Sequence, residues 1–259
     1  MDLINKIHRG NCFDLLPELG LGTVDLVVTD PPYLTALADI YSSWNLKNHD
    51  FEVLAEQLER VMAPNGQIAI FCDYLTSLSI GNAFQKYFTF RYYYIWIKSN
   101  GQPVNAMQPR SNVELVLVWK KKSAKTSDLT YNPILKAGVP YSRTHKGGNC
   151  TRKKSTGYTT INNGYRTPDQ TLYYPSKDNM LKKERSNHPC QKSVGLMAYF
   201  IRTLSNESDL VLDPFAGSGS TAIACHRLNR NWIAMEKDPN YYCEAKERLR
   251  VETSQLSLV

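Results

Sequence analysis

The sequence lacks the usual features of a secreted, metal-binding or membrane protein. Its six cysteines are scattered through 259 residues without a C-x-x-C pair, so neither a zinc knuckle nor a disulfide framework is indicated. The His and Cys side chains at 145, 150, 188 and 190 match no zinc spacing, and no metal site is predicted. Apolar runs long enough to cross a membrane and a secretory leader are also missing. The predicted location is therefore the cytoplasm, with no membrane partner.

Acidic residues are scarce in one region. Residues 120–192 contain sixteen Lys and Arg but only four Asp and Glu, a net charge of +12, whereas the whole chain has a net charge of +7. A solvated basic surface would explain the charge but not the tyrosines interleaved with it. Cations beside aromatic rings favour nucleic acid as the partner. The side chains predicted to contact nucleic acid are Lys136, Arg143, Lys146, Arg152, Lys153, Lys154 and Arg166.

Apolar periodicity predicts an α/β fold with a doubly wound, mainly parallel sheet, because short apolar strands alternate with amphipathic helices. This pattern breaks down between residues 123 and 189, where glycine, asparagine and proline punctuate the chain. We therefore predict a domain formed by 1–122 and 186–259 and an insertion at 123–185. Expected strands are 24–29, 67–72, 92–98, 113–120, 210–212 and 232–235, and expected helices are 51–62, 74–87, 193–204, 220–228 and one from 239 onward.

The first segment with chemical potential is Asp30-Pro31-Pro32-Tyr33, which follows the strand at 24–29. An exocyclic amine of a nucleobase is a poor nucleophile because its lone pair is delocalised into the ring. Two acceptors aimed at its hydrogens, the Asp30 carboxylate and the Pro31 carbonyl, would favour attack on an electrophilic methyl group. Tyr33 would stack on the base, which must first be flipped out of a duplex. A proline-rich turn whose aspartate caps a helix is the alternative.

The second segment, Asp213-Pro214-Phe215-Ala216-Gly217-Ser218-Gly219-Ser220, follows a short apolar strand and precedes a helix. Its glycines allow the main chain to approach a ligand closely. It lacks both the third glycine of a dinucleotide fingerprint and the lysine of a P-loop. Glu236, at the end of the next strand, is placed to accept hydrogen bonds from a ribose, or alternatively to cap the last helix. Because ligands bind beyond the carboxyl ends of parallel strands, both segments are expected at one edge.

Together these segments resemble motifs of the amino-methyltransferases that act on DNA. Asp30 to Tyr33 is similar to the catalytic motif of that family, and Asp213 to Thr221 is similar to its S-adenosylmethionine loop. His188-Pro189-Cys190-Gln191-Lys192 is similar to the segment that precedes the loop. With the catalytic motif first, the insertion next and the cofactor loop last, the order resembles the permuted β class. The similarity covers residues 5 to 120 and 188 to 250.

The resemblance implies a Rossmann-like methyltransferase fold, S-adenosylmethionine as cofactor, double-stranded DNA as substrate, and direct transfer without a covalent enzyme intermediate. It assigns catalysis to Asp30, Pro31, Pro32 and Tyr33, and target recognition to the insertion. Asn11 stands where the family usually has aspartate, so an amide replaces a charge beside the adenine of the cofactor. The residues implied in cofactor binding are Asn11, Cys12, Asp30, His188, Gln191, Lys192, Asp213, Phe215, Gly217, Ser218, Gly219, Ser220, Thr221, Glu236 and Lys237.

An aspartate in the tetrapeptide, where cytosine-N4 enzymes of the family more often have serine, favours N6 of adenine as the methylated atom. Alternatives are a cytosine-N4 methyltransferase and a non-catalytic DNA-binding protein on the same fold. Methylation of another amide, such as a glutamine side chain, fits the motif order and the basic insertion less well. A nicotinamide-dependent oxidoreductase would explain neither the incomplete glycine fingerprint nor the tetrapeptide. A homodimer and a cognate restriction endonuclease are further partners that the resemblance allows.

Overall fold

In a computed structural model of the chain, the structure describes residues 3–34, 46–99, 107, 109–146, 148–150, 153–155 and 157–256, without side chains at 148–150, 153–155, 255 and 256. Contacts divide the chain into two units. The larger unit contains the described residues up to Asn132 and from Gln170 onward, and the smaller unit is Pro133–Asp169. The smaller unit lies within the predicted insertion, 123–185, but is shorter at both ends.

Within the described residues, eight strands of the larger unit form one sheet, in the order β1-β14-β13-β2-β3-β5-β4-β12. Neighbouring strands from β1 to β3 in this order are parallel. Strand β5 runs antiparallel to both β3 and β4, and β12 pairs with β4 in parallel. The strands are β1 (Lys6–Arg9), β2 (Val24–Thr29), β3 (Met62–Cys72), β4 (Phe88–Ile97), β5 (Val113–Lys121), β12 (Thr171–Tyr173), β13 (Leu210–Asp213) and β14 (Asn231–Glu236).

Helices cover both faces of the sheet because alternate strand residues point to opposite sides. Ile68 and Ile70 of β3 join one apolar cluster, and Phe71 joins the other. The first cluster contains buried side chains of α1, α2 and α3, and the second contains those of α4, α5 and α6. This is the doubly wound, mainly parallel fold that the sequence predicts. The helices are α1 (Cys12–Leu15), α2 (Asn48–Val61), α3 (Tyr74–Phe84), α4 (Val194–Leu204), α5 (Ser220–Arg227) and α6 (Pro239–Leu256).

Several predicted boundaries differ from the structure, among them the start of β4, which is Phe88 rather than residue 92. Strand β3 begins at Met62 rather than at residue 67, because Met62 pairs with Val24 ahead of an irregularity in the register. Helix α3 ends at Phe84 rather than at residue 87. Within the predicted insertion, Thr171–Tyr173 forms β12 and joins the main sheet beside β4, so this part of the insertion belongs to the larger unit.

The smaller unit consists of short antiparallel pairs. Strand β7 pairs with β10, β6 with β11, and β8 with β9. Two-stranded ribbons bury little apolar surface, which explains why the sequence shows no long period here. Across the described part of the chain, no helix is both long and apolar enough to span a membrane. The strands are β6 (Lys136–Ala137), β7 (Tyr141–His145), β8 (Gly148–Cys150), β9 (Lys153–Ser155), β10 (Tyr158–Asn162) and β11 (Tyr165–Arg166).

Candidate active site

The carboxyl ends of four neighbouring parallel strands bring the two predicted motifs together. Strands β1, β14, β13 and β2 lie side by side in this order, so their ends meet at one edge of the sheet. The residues at these ends or within two positions after them are Asn11, Glu236, Asp213 and Asp30. A threonine side chain also links the motifs, because Thr29 Oγ1 donates to Asp213 Oδ1 at 2.8 Å.

The glycine loop has a backbone that only glycine adopts easily. Gly217 and Gly219 have φ angles of +50° and +77°, in the left-handed region that disfavours other residues. A Cβ atom at Gly217 would lie 3.0 Å from Nε2 of His188, and one at Gly219 would lie 3.1 Å from Cβ of Ala245 in α6. Both glycines therefore keep the loop close to its neighbours and leave its main chain open to a ligand.

Glu236 holds this loop through its carboxylate. Oε2 accepts a hydrogen bond from the Gly217 amide at 2.8 Å, and Oε1 accepts one from the Asp238 amide at 2.7 Å, just before α6. The cap of α6 is Asp238, whose Oδ1 accepts from the amides of Asn240 and Tyr241, so Glu236 fixes the turn before the helix rather than capping it. Each carboxylate oxygen accepts more than one hydrogen bond, so these contacts leave capacity for a ribose hydroxyl.

Asp213 is fully buried between the motifs. Besides the Thr29 contact, its Oδ1 accepts from the Phe215 amide at 3.1 Å, which starts the turn into the glycine loop. Burial raises the pKa of Asp213 to about 6, although the hydroxyls of Thr221 and Thr29 act in the opposite direction. The carboxylate is therefore held mainly by hydroxyl and amide donors.

Asp30 lies at the centre of a polar cluster. Its Oδ2 is 2.5 Å from the Lys192 ammonium, and its Oδ1 accepts from the Tyr33 hydroxyl at 2.8 Å. The side chains of Lys192 and Asp30 are 6% and 15% exposed. Burial raises the pKa of Asp30, whereas the charge of Lys192 opposes this effect.

Two further members of the cluster, Glu114 and Lys98, were not identified from the sequence. Glu114 Oε2 lies 2.9 Å from the Tyr33 hydroxyl and 3.3 Å from Lys192 Nζ, and its Oε1 accepts from Lys98 at 3.0 Å. Because β5 is antiparallel to its neighbours, its first residues lie at the edge where β3 and β4 end. A carboxylate in the otherwise apolar run from Val113 to Trp119 is the sequence feature that could have indicated this site.

Lys192 is enclosed by two carboxylates and three aromatic rings. Its Nζ lies 5.7 Å from the ring centre of Tyr33, 5.4 Å from that of Phe71 and 5.7 Å from that of Trp96. Burial alone would favour a neutral amine, but Asp30 and Glu114 outweigh it and raise the pKa of Lys192. Burial also opposes ionisation of Glu114, yet Lys192 and Lys98 lower the pKa of Glu114. The ammonium is thus kept charged.

The remaining residues predicted to bind cofactor surround this edge, and several have a structural role. Asn11 accepts from the Phe13 amide at 3.3 Å and caps α1. The amide of Gln191 is bonded to the main chain at Glu184 and Ser186. Burial lowers the pKa of His188 to about 4, helped by Lys192 and Lys177, so its imidazole is neutral near pH 7.

Other side chains around this edge are largely buried. Burial raises the pKa of Cys12 to about 12 and keeps it a thiol. The five cysteines with described side chains are free. Ser218, Ser220 and Thr221 are buried in and after the loop, and Lys237 is exposed at the end of β14.

The residues predicted to contact DNA belong to the smaller unit. Lys136 forms an exposed ion pair with Asp169 at 2.5 Å, while Arg143, Lys146 and Arg166 are exposed on or beside the short strands. Arg152 lies outside the described residues, and only the backbone of Lys153 and Lys154 is described. Their role in DNA binding stays a prediction.

Comparisons with known proteins agree with this geometry. The family model of N6/N4 DNA methylases matches residues 24–247. The type II methyltransferase M1.MboII of Moraxella bovis is 30% identical over 264 aligned positions, which cover 93% of this chain and 95% of that protein.

Solved structures show the same fold. The structure of M1.HpyAVI in complex with SAM has a TM-score of 0.62 at 25% identity and covers 94% of this chain and 98% of that chain. The cytosine-N4-specific PvuII DNA methyltransferase has a TM-score of 0.68 at 18% identity, with 94% and 85% of the chains covered. From the match over 24–247 and the identity to M1.MboII, the chain belongs to the N6/N4 family of DNA methylases.

Proposed function

We propose that this DNA methyltransferase transfers a methyl group from S-adenosylmethionine to N6 of a flipped-out adenine. Membership of the N6/N4 family makes the chain a site-specific DNA methyltransferase that depends on S-adenosylmethionine. The observation that carries the finer proposal is the Asp30 carboxylate, which is held by Tyr33 and Lys192 at the same sheet edge as the glycine loop. An aspartate at this position is the feature that favours adenine over cytosine.

The residues at the sheet edge fit S-adenosylmethionine. A side chain at Gly217 would fill the space beside His188, and Glu236 retains acceptor capacity for a ribose. When bound, this cofactor supplies an electrophilic methyl group on a sulfonium. The chain contributes geometry: the loop from Asp213 to Thr221 and the end of β14 hold the cofactor, while Asp30 to Tyr33 hold the base.

For the reaction itself, the Asp30 carboxylate and the Pro31 carbonyl accept hydrogen bonds from the target amine and direct its lone pair toward the methyl group. Tyr33 stacks on the base, and its hydroxyl orients Asp30 through the contact at 2.8 Å. The charge of Lys192 opposes burial and favours the ionised form of Asp30, which is the form that accepts a proton from the amine. None of these roles requires a cysteine nucleophile.

Other parts of the proposal concern the whole enzyme. The basic insertion at 123–185 recognises the DNA sequence, and base flipping brings the adenine to Asp30. The permuted β class, a cytoplasmic location, a homodimer and a cognate restriction endonuclease stay predictions. The motif order, the charge distribution and the type II methyltransferase relative support them.

Expression in a host without DNA methylation, followed by sequencing for modified bases, tests the proposed target. We expect N6-methyladenine at one recognition sequence.

Asp30→Asn removes the acceptor charge with little change in volume, so we expect transfer to fall by roughly a hundredfold or more, the size typical of a lost acid–base group. Binding of S-adenosylmethionine, measured by calorimetry, should stay largely unchanged.

Glu207→Gln is the control, because Glu207 is exposed in the turn before β13, outside both the predicted site and the insertion. Its activity should equal that of the unchanged protein. N4-methylcytosine in the sequenced DNA would contradict the adenine proposal, and wild-type transfer by Asp30→Asn would remove Asp30 from the mechanism.

A further inference from the structure

The hydroxyl of Tyr33 lies between two carboxylates. Its oxygen is 2.8 Å from Oδ1 of Asp30 and 2.9 Å from Oε2 of Glu114, both normal hydrogen-bond lengths between oxygens. A phenol hydroxyl has one hydrogen, whereas ionised carboxylates only accept. With both carboxylates ionised, Tyr33 can therefore donate fully to one of them.

Two complete hydrogen bonds along Asp30, Tyr33 and Glu114 require two hydrogens on these three oxygens. The two hydrogen bonds among Asp30, Tyr33 and Glu114 therefore need one proton in addition to the hydrogen of the Tyr33 hydroxyl. Two ammonium groups, on Lys192 and Lys98, balance the two carboxylates. The methyl transfer of the proposed function produces such a proton, because an amine nitrogen that gains a methyl group must lose one hydrogen ion.

We propose that Glu114 is a positioning residue that enables Asp30 to take the proton of the target amine by accepting the hydrogen of Tyr33. In this step the N–H bond of the amine breaks, its electron pair stays on nitrogen, and an O–H bond forms on Asp30 Oδ1. The new hydroxyl of Asp30 donates to Tyr33, and Tyr33 turns its own hydrogen to Glu114. The inference rests on the proposed function, since the methylated amine is the proton source.

Lys98 and the strand position of Glu114 support this role. Glu114 is held from its other side by Lys98 at 3.0 Å and is 14% exposed, so its acceptor oxygen is fixed toward Tyr33. Opposite Glu114 in the register lies Trp96 of β4. Lys192, Lys98 and Tyr33 act electrostatically on Asp30 or Glu114, and these carboxylates in turn raise the pKa values of Cys72, Cys190 and Asp213.

Glu114→Gln tests the inference because it keeps the side-chain shape and removes the ionised acceptor. In single-turnover reactions of the full chain with an oligonucleotide that contains the recognition sequence, we expect the maximal rate to fall roughly tenfold or more. The acid limb of the pH profile should move to lower pH, because Glu114 no longer disfavours ionisation of Asp30. Titration of ¹³C-labelled aspartate by NMR should show the same direction for Asp30 without any methyl transfer.

Glu59→Gln is the control, since Glu59 pairs with Lys121 outside the cluster and is 41% exposed. Its pH profile should match that of the unchanged protein. If the pH profile and the Asp30 titration of Glu114→Gln also match the unchanged protein, the inference is wrong.

A double-mutant cycle with Tyr33→Phe separates proton acceptance from a purely structural role. Because Glu114 acts through the Tyr33 hydroxyl, adding Glu114→Gln to Tyr33→Phe should lower the maximal rate by much less than tenfold. If the rate effects of the two substitutions multiply, the inference is wrong. Failure of the proposed function is distinguishable: methylation of cytosine rather than adenine would be seen in the product, while the coupling of Glu114 to Asp30 would still appear in the NMR titration.

Discussion

At the scale of single residues, the charged groups of the site depend on partners from distant parts of the chain. Asp30 pairs with Lys192, 162 positions away, and Thr29 donates to Asp213, 184 positions away. Burial of such groups costs free energy unless each one finds a partner, and the benefit to stability is small even then. Stability alone therefore does not explain the cluster around Asp30, which agrees with the catalytic role proposed for it.

Asp213 illustrates this cost in its pH dependence. Its pKa is about 6 in the folded chain against an ordinary 3.8, so the folded state binds more protons than the unfolded state between these values. Stability therefore falls as pH rises through this window and stays lower above it, by about 3 kcal/mol at full ionisation. Asp213→Asn removes this titration. Between about pH 4 and 7, the free energy of unfolding of the unchanged protein should therefore fall by this amount relative to that of the variant.

Urea denaturation at a series of pH values measures this difference, and taking it relative to Asp213→Asn cancels the titration of distant groups. If the free energies of unfolding of the unchanged protein and of Asp213→Asn change in parallel with pH across this range, burial does not raise the pKa of Asp213.

At the scale of elements, the glycine loop joins β13 to α5 while α6 lies directly against it. Gly219 is the residue before α5, and a Cβ atom there would also approach Cα of Ala245 at 3.5 Å. The left-handed backbone and the close helix act together, so this position requires glycine for two separate reasons. Correct docking of α6 and a correctly shaped loop are thus linked.

Gly219→Ala should destabilise the chain and weaken binding of S-adenosylmethionine. The left-handed conformation alone costs about 1–2 kcal/mol for a residue with a Cβ atom, and the contact with α6 adds to this. Gly81→Ala is the control, because Gly81 lies inside α3 with no atom within 4 Å of the added Cβ. That variant should gain about 0.5–1 kcal/mol from helix propensity.

Urea denaturation and calorimetry of cofactor binding measure both variants. Equal stability of Gly219→Ala and the unchanged protein would mean that the loop relaxes without strain.

At the scale of the whole molecule, charge is distributed unevenly along the chain. Residues 120–192 carry the net charge of +12, while the rest of the chain is negative by five charges. The smaller unit, Pro133–Asp169, contributes exposed cations on short paired strands, and the larger unit contains the candidate active site. Such a division suits a molecule that binds a polyanion with one part and modifies it with another.

Replacing Arg143 and Lys146 by alanine should weaken DNA binding and flatten its salt dependence. Each lost phosphate contact reduces the slope of log K against log salt by about 0.9, so loss of both contacts should reduce it by about 2. Lys246 and Arg250 on α6 provide the control, since their replacement removes the same charge from the larger unit. Fluorescence anisotropy at several salt concentrations measures the slope, and equal slopes for the two double variants would assign Arg143 and Lys146 to a solvated surface.

Much of the fold and part of the site follow from local sequence patterns. The apolar runs predicted the strands that end at Thr29, Asp213 and Glu236, because period-two or continuous apolar segments are local features. The glycine loop and the tetrapeptide were recognisable because the residues that define each motif are adjacent in the sequence. Residue 62 as the start of β3 and the place of Thr171–Tyr173 beside β4 were not predicted, since both depend on pairing with a distant strand.

By itself, the sequence determined the α/β class, the two motifs and the concentration of positive charge. Only the tertiary structure decided which side chains meet at the sheet edge. Glu114 joins the site because β5 runs antiparallel to its neighbours, which brings the beginning of that strand to the edge where the parallel strands end. Lys192 meets Asp30 because the chain before α4 returns to the end of β2. Strand order and direction are set by packing of the whole core, and local periodicity does not encode them.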